Sequence, residues 1–362
     1  MIRDDTGDWD RGEEIFYRLG FPATVVYQDN RCDGRRSMTP PYDTRRILVA
    51  GAGALGLVFG ALLRRAGHVV TLLGRAVHTD AVVTGGVHVE GLWGEHVATG
   101  FELATDATQL HDRFDAVLVT VKSYDTRAVG AAVAPFLAPD GVLISLQNGL
   151  GNVEALSAAA GASHVLAGRV IFGAEVVAAG RVRVTVYADP VLIGVWRRHE
   201  HPLDAAAKAW AERFAAAGIP SAYSDDIEAA LWGKVLYNAA LNPLGALLGV
   251  HYGALGEDAN TRAVMDAVID EAFCVAVAEH VALPWASAAH YRALFYDRLL
   301  PSTFRHRPSM LQDLERGHRT EIEAINGEVW KRGTSHGLRT PANELLTRLI
   351  LARTGMRGGS GV

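Results

Sequence analysis

Residues 46–75, RILVAGAGALGLVFGALLRRAGHVVTLLGR, decide the fold. An apolar run of strand length leads into glycines at G-x-G-x-x-G spacing, Gly51, Gly53 and Gly56. A helical run follows, and Gly67 ends it before a second apolar strand begins. This order predicts a βαβ unit, in which a pyrophosphate rests on the amides of a helix N-terminus.

Each glycine of this turn has a separate expected role. Gly51 permits the tight turn, Gly53 lets the backbone approach the phosphates, and Gly56 lets helix and strand touch. An incidental glycine-rich turn is the alternative, but the flanking strands and helix favour dinucleotide binding. The residues expected to hold the cofactor here are Gly51, Ala52, Gly53, Ala54, Leu55 and Gly56.

The second strand ends in Gly74 and Arg75 where many such units carry Asp or Glu. A carboxylate would bind a ribose 2′-hydroxyl, whereas a guanidinium suits a 2′-phosphate. Arg75 therefore favours NADP over NAD, the alternative being a solvated surface arginine.

Composition bounds the class of protein. At 362 residues the chain is long enough for two domains, and 49% hydrophobic with 21% charged residues is ordinary for a globular protein. A formal charge of −5 implies no nucleic-acid or membrane partner. No apolar run reaches the roughly 18 residues that span a bilayer, and the acidic N-terminus does not resemble a signal peptide.

Cysteine and histidine usage narrows the chemistry. Only Cys32 and Cys274 occur, without a C-x-x-C motif, which predicts a reducing compartment, the cytoplasm. The 14 histidines show no ligand spacing, so no metal is predicted. The sequence leaves the oligomeric state open, a homodimer included.

The chain divides into four predicted segments. Residues 1–44 are either a weakly ordered extension or lie before a true start at Met38, and the second is favoured. Residues 45–224 form a Rossmann-type, doubly wound α/β domain, residues 225–355 an all-α domain, and residues 356–362 a loose tail.

Two further strands of the sheet end in polar residues. The apolar runs 116–121 and 141–146 lead into Lys122 and Asn148, at the edge where open α/β sheets gather ligands. The alternatives are a solvated lysine and a plain Asn-Gly turn. Residues 85–100 predict a small hairpin, and the alternating run 181–187 predicts an antiparallel pair that extends the sheet edge.

The helical half begins with an apolar helix that carries a polar line. Asp225 and Glu228 have capping-box spacing, which predicts the helix start. Lys234, Asn238 and Asn242 recur every four residues on an otherwise apolar helix, and this favours a ligand cavity over a wet face. Pro243 is expected to kink this helix or to expose a carbonyl.

A later segment also places a polar residue on a predicted apolar helix face. Leu311, Leu314, His318 and Ile325 predict a heptad-like stripe on which Glu321 replaces an apolar residue. A buried carboxylate needs a partner, and Lys234 is a candidate. Ser309 with Gln312 matches a capping box, so a cap and a ligand contact are both open for that serine.

These segments together resemble the ketopantoate reductase (2-dehydropantoate 2-reductase) family. The resemblance covers about residues 46–353 and rests on GAGALG at 51–56, TVKS at 120–123, QNGLG at 147–151, LWGKVLYNAALNPLGAL at 231–247 and SMLQDLERGHRTEIEAINGEV at 309–329. The last two motifs are far more specific than the glycine turn.

The resemblance implies residue roles. Lys234 would be the general acid and Glu321 a second catalytic residue. The substrate-binding residues would be Asn148, Asn238, Asn242 and Ser309. The residues that contact or organise NADPH would be Arg75, Lys122, Asn148, Ala174 and Glu321. It implies reduction of 2-dehydropantoate to (R)-pantoate, a step toward pantothenate.

One position departs from the family pattern. Tyr252 stands before Gly253 where the family often has Asn, so a substrate hydrogen bond is missing or replaced. The alternatives are therefore a reductase of another 2-oxo acid and, more distantly, a non-catalytic NADP-binding regulator. From the chemistry alone, Lys234 can donate a proton if burial lowers its pKa, while a nearby Glu321 would oppose that lowering.

Overall fold

The computed structural model describes residues 43–197 and 202–358. The predicted extension, up to residue 42, lies outside the described residues, as do residues 359–362. The boundary expected after residue 224 stays a prediction.

The N-terminal half is a ten-stranded sheet with helices packed on it. In chain order its elements are β1 (Arg46–Ala50), α1 (Ala54–Arg65), β2 (Val69–Leu73), α2 (Ala76–Gly85), β3 (Val87–Gly91), β4 (His96–Ala98), β5 (Glu102–Ala104), β6 (Phe114–Val119), α3 (Thr126–Val133), β7 (Leu137–Ser145), α4 (Asn152–Ala160), β8 (Val165–Ala178), β9 (Arg181–Gly194), α5 (Asp204–Ala216) and β10 (Ser221–Tyr223).

The predicted βαβ unit is confirmed as β1, α1 and β2, with β1 parallel to both β2 and β6. The six strands β5-β2-β1-β6-β7-β8 run parallel, so their carboxyl ends share one edge. Ile47, Leu48 and Val49 have no exposed surface, which explains why β1 is a continuous apolar run.

The antiparallel pair β8 and β9 is confirmed, but its predicted place at the sheet edge is wrong. The hairpin of β3 and β4 lies beyond it, because β3 pairs in parallel with β9. Val87 and Val89 of β3 are buried, so the alternating apolar residues that predicted the hairpin also pack it into the core.

The C-terminal half is helical. Its elements are α6 (Ile227–Leu248), α7 (Tyr252–Glu257), α8 (Ala259–Ala278), α9 (Ala288–Leu294), a π-helical turn (Phe295–Leu299) that leads into a short helix (Leu300–Ser302), and then α10 (Ser309–Glu315), α11 (Asn326–Ser335) and α12 (Pro341–Gly358). The last helix continues beyond residue 355, where the helical domain was expected to end.

Helix α6 begins one residue later than predicted. Asp226, not Asp225, is its N-cap and accepts a hydrogen bond from the Ala229 amide at 3.1 Å. Pro243 lies inside the helix and has no N–H to give to the Ala239 carbonyl. Asn326 Nδ2 donates to that carbonyl instead, at 3.0 Å, so the expected free carbonyl is satisfied by another element.

The stripe predicted across residues 311–325 is wrong. Helix α10 ends before Gly317, whose φ of +70° turns the chain, and His318 is exposed. Glu321 therefore lies in a turn between α10 and α11. Ser309 does not cap α10, because Pro308 holds the cap position and no side-chain cap forms.

Within residues 43–197 and 202–358, no helix is long and apolar enough to cross a membrane. In the same ranges, no group of three or more His, Cys, Asp or Glu side chains is arranged to hold a metal ion.

Candidate active site

A cleft of about 1250 Å³ lies between the sheet and the helical half. It is lined by the glycine turn, by the carboxyl ends of the central strands, and by α6 and α10. Of the predicted site residues, these line it: Gly51, Ala52, Gly53, Ala54, Leu55, Arg75, Lys122, Asn148, Ala174, Lys234, Asn238, Asn242, Ser309 and Glu321. Gly56 does not, because it is buried behind the turn.

The glycine turn fits a pyrophosphate. Gly51 has a φ of +120°, and a Cβ there would lie 2.7 Å from the Val121 amide nitrogen. A Cβ at Gly53 would meet no protein atom within 4 Å, so this backbone faces open cleft. No acidic residue occupies the first turn of α1, which leaves its amides and dipole for an anion.

Arg75 and His78 lie farther along the same cleft. Arg75 is exposed at the start of α2, and His78 follows one turn later. Within the described residues, His78 Nδ1 is buried without a hydrogen-bond partner, and burial together with the Arg75 charge lowers the His78 pKa. His78 was not among the predicted site residues, although its i,i+3 spacing from Arg75 places the two side chains as neighbours.

Lys234 bridges the two halves of the molecule. Its Nζ donates to the Val170 carbonyl on β8 at 2.6 Å and to Asn148 Oδ1 at 2.7 Å. Burial lowers the Lys234 pKa to about 8, and the nearby positive charge of Arg169 adds to this. The Glu321 charge opposes the lowering. Burial outweighs it, which answers the question that the sequence left open.

Glu321 is not the direct partner of Lys234, contrary to expectation. Its Oε2 accepts from Asn148 Nδ2 at 3.2 Å, so Asn148 lies between carboxylate and ammonium. The Ser123 amide also donates to Glu321, at 3.0 Å. From its turn before α11, the Glu321 carboxylate reaches Ser123 and Asn148, which follow β6 and β7.

Lys122 completes the network. Its Nζ lies 2.7 Å from Asp313 Oδ2 and 3.7 Å from Glu321 Oε2. Burial alone would lower the Lys122 pKa, but the two carboxylates outweigh it and raise the pKa. Asp313, which is 7% exposed, was missed by sequence analysis because nothing in the chain order pairs it with Lys122.

The remaining polar residues of the cleft differ in whether their hydrogen-bonding groups are already paired. Within the described part of the chain, the side chains of Asn238 and Ser309 make no hydrogen bond, so both are free for a ligand. Asn242 is only 4% exposed, and its Oδ1 accepts from the Tyr252 hydroxyl at 2.6 Å.

Family comparison agrees with this architecture. The family model "Ketopantoate reductase PanE/ApbA" matches residues 47–198, and its C-terminal counterpart matches residues 226–354. The chain belongs to the ketopantoate reductase family. The predicted family and fold class are thereby confirmed.

Relatives of this family align over nearly their full length. The 2-dehydropantoate 2-reductase of Aquifex aeolicus is 39% identical over 316 residues, which are 85% of this chain and 96% of that protein. The enzyme of the same name from Archaeoglobus fulgidus is 35% identical, over 84% of this chain and 97% of its own.

Solved structures show the same fold. A PanE/ApbA family ketopantoate reductase from Ralstonia eutropha JMP134 superposes with a TM-score of 0.76 at 33% identity, over 86% of this chain and 99% of its own. D-mandelate dehydrogenase with NADH and anilino(oxo)acetate has a TM-score of 0.77 at 25% identity, over the same shares. The chain is thus an oxidoreductase of a nicotinamide-dependent family with a small-molecule substrate.

Proposed function

We propose that this protein reduces 2-dehydropantoate (ketopantoate) to (R)-pantoate with NADPH, the reaction named for its relatives. The observation that carries the proposal is the Lys234 ammonium, held between Asn148 and Val170 in the cleft that the glycine turn lines. Pantothenate biosynthesis is the pathway that this reaction serves.

Lys234 is the proton donor in the proposed mechanism. The reduced nicotinamide supplies a hydride to the carbonyl carbon, and the oxygen becomes an alkoxide that needs a proton. The ammonium stabilises that developing charge and then gives up its proton, which a pKa of about 8 makes easy near neutral pH. Asn148 fixes the ammonium, and Glu321 fixes Asn148 from its other side.

Asn238 and Ser309 orient the 2-oxo acid substrate in the proposed mechanism. Both line the cleft on the helical side, and both present donors that suit a carboxylate. Lys122 and Ala174 line the cleft on the sheet side, where the cofactor would lie. Asp313 holds Lys122 there.

The preference for NADPH rests on Arg75. Its exposed guanidinium stands at the end of β2, where the ribose of a dinucleotide on the glycine turn would reach. Arg75→Ala is expected to weaken NADPH binding about tenfold or more and to leave NADH binding nearly unchanged. Titration of both cofactors measures this, and an equal loss for both would contradict it.

The decisive experiment follows NADPH oxidation in the presence of ketopantoate. Lys234→Ala is expected to lower kcat by about 10²–10⁴-fold, since the proton donor is lost. Lys208→Ala, an exposed lysine on α5, is the matched control and should keep full activity. Near-normal turnover by the Lys234 variant would remove this residue from the mechanism.

We also propose a cytoplasmic location, supported by the free thiol of Cys274 and by cysteine usage that is typical of a reducing compartment.

A further inference from the structure

His306 lines the cleft, yet it takes no part in the proposed mechanism. It lies three residues before Ser309, in the segment that leads into α10. Backbone hydrogen bonds fix its position: the His306 amide donates to the Thr303 carbonyl at 2.8 Å, and the His306 carbonyl accepts from the Tyr252 amide at 3.1 Å. The imidazole is therefore held beside the first residue of α7.

The His306 side chain is free to bind a ligand. Within residues 43–197 and 202–358, its imidazole makes no hydrogen bond. The ring packs against that of Tyr252, with 5.0 Å between the ring centroids. Burial lowers the His306 pKa below its ordinary value, so the imidazole is neutral at pH 7 and has one N–H and one nitrogen lone pair. It can therefore accept a hydrogen bond as well as donate one.

Asn242 complements His306 in the same part of the cleft. Its Oδ1 accepts from the Tyr252 hydroxyl at 2.6 Å, whereas its Nδ2 group donates to no residue that the structure describes. Asn242 therefore offers a ligand an amide donor, while its oxygen is already engaged. Because Tyr252 contacts both side chains, an amide donor and an imidazole acceptor come together at this end of the cleft.

Such a pair suits a hydroxyl group, which accepts through its oxygen and donates its single proton. Ketopantoate carries one hydroxyl, at the end opposite its 2-oxo acid group. In the proposed function the reacting carbonyl lies at Lys234, and Asn238 and Ser309 orient the acid. Asn242 lies two turns beyond Lys234, about 12 Å along the α6 axis, so the free end of the substrate is the part that reaches it.

We propose that His306 determines specificity for the distal hydroxyl of the substrate: its imidazole accepts a hydrogen bond from that hydroxyl, while the Asn242 amide donates to the hydroxyl oxygen. This inference rests on the proposed function and deepens it. It also explains the departure at Tyr252, which stands where the family often has Asn. The Tyr252 proton is engaged by Asn242, and the imidazole packed on Tyr252 replaces the amide that position 252 lacks.

Discrimination against a substrate without the hydroxyl measures this contact. A site built to hydrogen-bond a substrate hydroxyl rejects the analogue without it by about 10⁴–10⁵-fold, because its own polar groups are left unpaired. An apolar pocket discriminates by only about 10²-fold or less. Ketopantoate and trimethylpyruvate form the matched pair, since a methyl group in the second replaces the CH₂OH of the first. We expect wild type to prefer ketopantoate in kcat/KM by more than about 10²-fold.

His306→Phe keeps a ring on Tyr252 and removes the acceptor. For ketopantoate, kcat/KM should fall by about tenfold or more, because the substrate hydroxyl loses its partner. For trimethylpyruvate it should change by less than about threefold, because neither partner of the hydrogen bond is then present. A purely structural role of His306 would lower both values alike.

Amide variants test the hydrogen bond itself. His306→Asn places an amide oxygen near the position of Nδ1, and His306→Gln places one near that of Nε2. The variant whose oxygen replaces the accepting nitrogen should keep most of the preference for ketopantoate, and it identifies that nitrogen. If neither amide prefers ketopantoate more than His306→Phe does, the inference is wrong.

Tyr252→Phe distinguishes His306 from its neighbour. It keeps the ring that packs on the imidazole and frees Asn242 Oδ1, so the preference for ketopantoate should persist or rise. His290→Phe, at an exposed histidine outside the lining of the cleft, is the control and should leave both kcat/KM values unchanged. Thermal unfolding checks that each variant is folded.

Three further results would overturn the inference. They are a wild-type preference within about a hundredfold, an equal loss for the two acids in His306→Phe, and a loss of preference in Tyr252→Phe as large as that in His306→Phe. If neither acid is reduced, the proposed function fails. Calorimetric binding of the two acids to the enzyme with NADP⁺ then decides the inference: a preference for ketopantoate that His306→Phe removes supports it, and equal binding or none overturns it.

Discussion

Lys234 carries the chemistry at the scale of single residues, and its titration should be visible in the rate. The acid form is required, and burial lowers the Lys234 pKa to about 8. Reduction of the 2-oxo acid should therefore be nearly constant below pH 8 and fall above it, by roughly tenfold per pH unit. A profile of kcat/KM from pH 6 to 10 measures this.

Lys234→Arg supplies the contrast for that profile. A guanidinium keeps its proton throughout this range, so the variant should be slow and should lose the limb near pH 8. A limb that stays at the same pH in Lys234→Arg would assign it to another group.

The glycine turn allows a second prediction that separates binding from folding. Gly53→Ala places a Cβ in open cleft, and the residue has an ordinary φ of −83°. Stability should be unchanged or slightly raised, while NADPH binding weakens about tenfold or more because the methyl group occupies the place of the phosphates. Thermal unfolding and cofactor titration test the two effects.

Gly56→Ala is the matched contrast. Its Cβ would lie 1.9 Å from the Gly51 carbonyl oxygen, so the backbone must move and the fold should lose several kcal/mol, on the order of 2–4. Equal behaviour of the two variants would contradict the division of roles.

The positions of single site residues could be predicted from sequence where the order of strands along the chain places them at one edge of the sheet. Gly51, Lys122 and Asn148 follow parallel strands, so their shared edge could be inferred. The helical stripe expected to carry Glu321 was wrong, because Gly317 ends the helix before it. For Ser309 the cap alternative is wrong, since Pro308 holds the cap position, and the ligand contact stays a prediction. The Tyr252–Asn242 pair joins two helices across a turn, and residue spacing carries no information about such a contact.

Helix α6 shows how one element depends on another. Pro243 leaves the Ala239 carbonyl without its helical donor, and the fully buried Asn326 replaces it. Asn326→Ala should lower the free energy of unfolding by about 1–3 kcal/mol, since it leaves that carbonyl and Asn343 Oδ1 unpaired. Urea unfolding measures the loss, and Asn260→Ala, at an exposed asparagine, should change it by less than about 0.5 kcal/mol.

A double-mutant cycle tests the cause. Pro243→Ala restores an N–H that can reach the Ala239 carbonyl along the helix. The loss from Asn326→Ala should therefore be smaller, by about 0.5 kcal/mol or more, in the Pro243→Ala background. Strict additivity would show that the proline and the asparagine are unconnected.

Element identity was largely predictable, and element placement less so. Continuous apolar runs predicted the central strands, which are buried on both faces, and alternation predicted β9. The position of β3 beside β9 depends on a pairing about 90 residues apart, which no local pattern encodes. The fold class could thus be inferred from sequence, whereas the order of strands at the sheet edge could not.

At the scale of the whole molecule, ion pairs hold the two halves together around the cleft. Lys122 joins Asp313 on one side. Elsewhere, the Leu150 amide donates to the Ala324 carbonyl at 2.8 Å, and Arg332 contacts Glu154 of the sheet half. These contacts join the sheet half to the helical half on either side of the cleft.

Arg332 is the centre of the largest of these contacts. Besides Glu154 it binds Glu279 at 3.0 Å and Glu328 at 3.1 Å, and the side chains of these two glutamates are only 8% and 12% exposed. Arg332→Met should therefore cost about 1.5–3 kcal/mol at pH 7, because Glu154 loses its cation while Glu279 and Glu328 keep only exposed ones, Arg197 and Lys331. Arg348→Met, which breaks an exposed i,i+4 pair with Glu344, should cost less than about 0.5 kcal/mol.

The pH dependence of the Arg332→Met loss identifies its cause. Burial raises the Glu279 pKa, but His336, Arg332 and Arg197 outweigh it and hold the pKa below its ordinary value. The stabilisation is therefore present above the unfolded pKa of about 4.5 and is lost as pH falls through the lower folded value. Without Arg332, the buried Glu279 carboxylate can lose its charge by taking up a proton as the pH falls. The difference in free energy of unfolding between variant and wild type should therefore shrink from pH 7 to pH 4. Urea unfolding at both pH values measures it, and an undiminished difference at pH 4 would assign the loss to packing of the arginine stem.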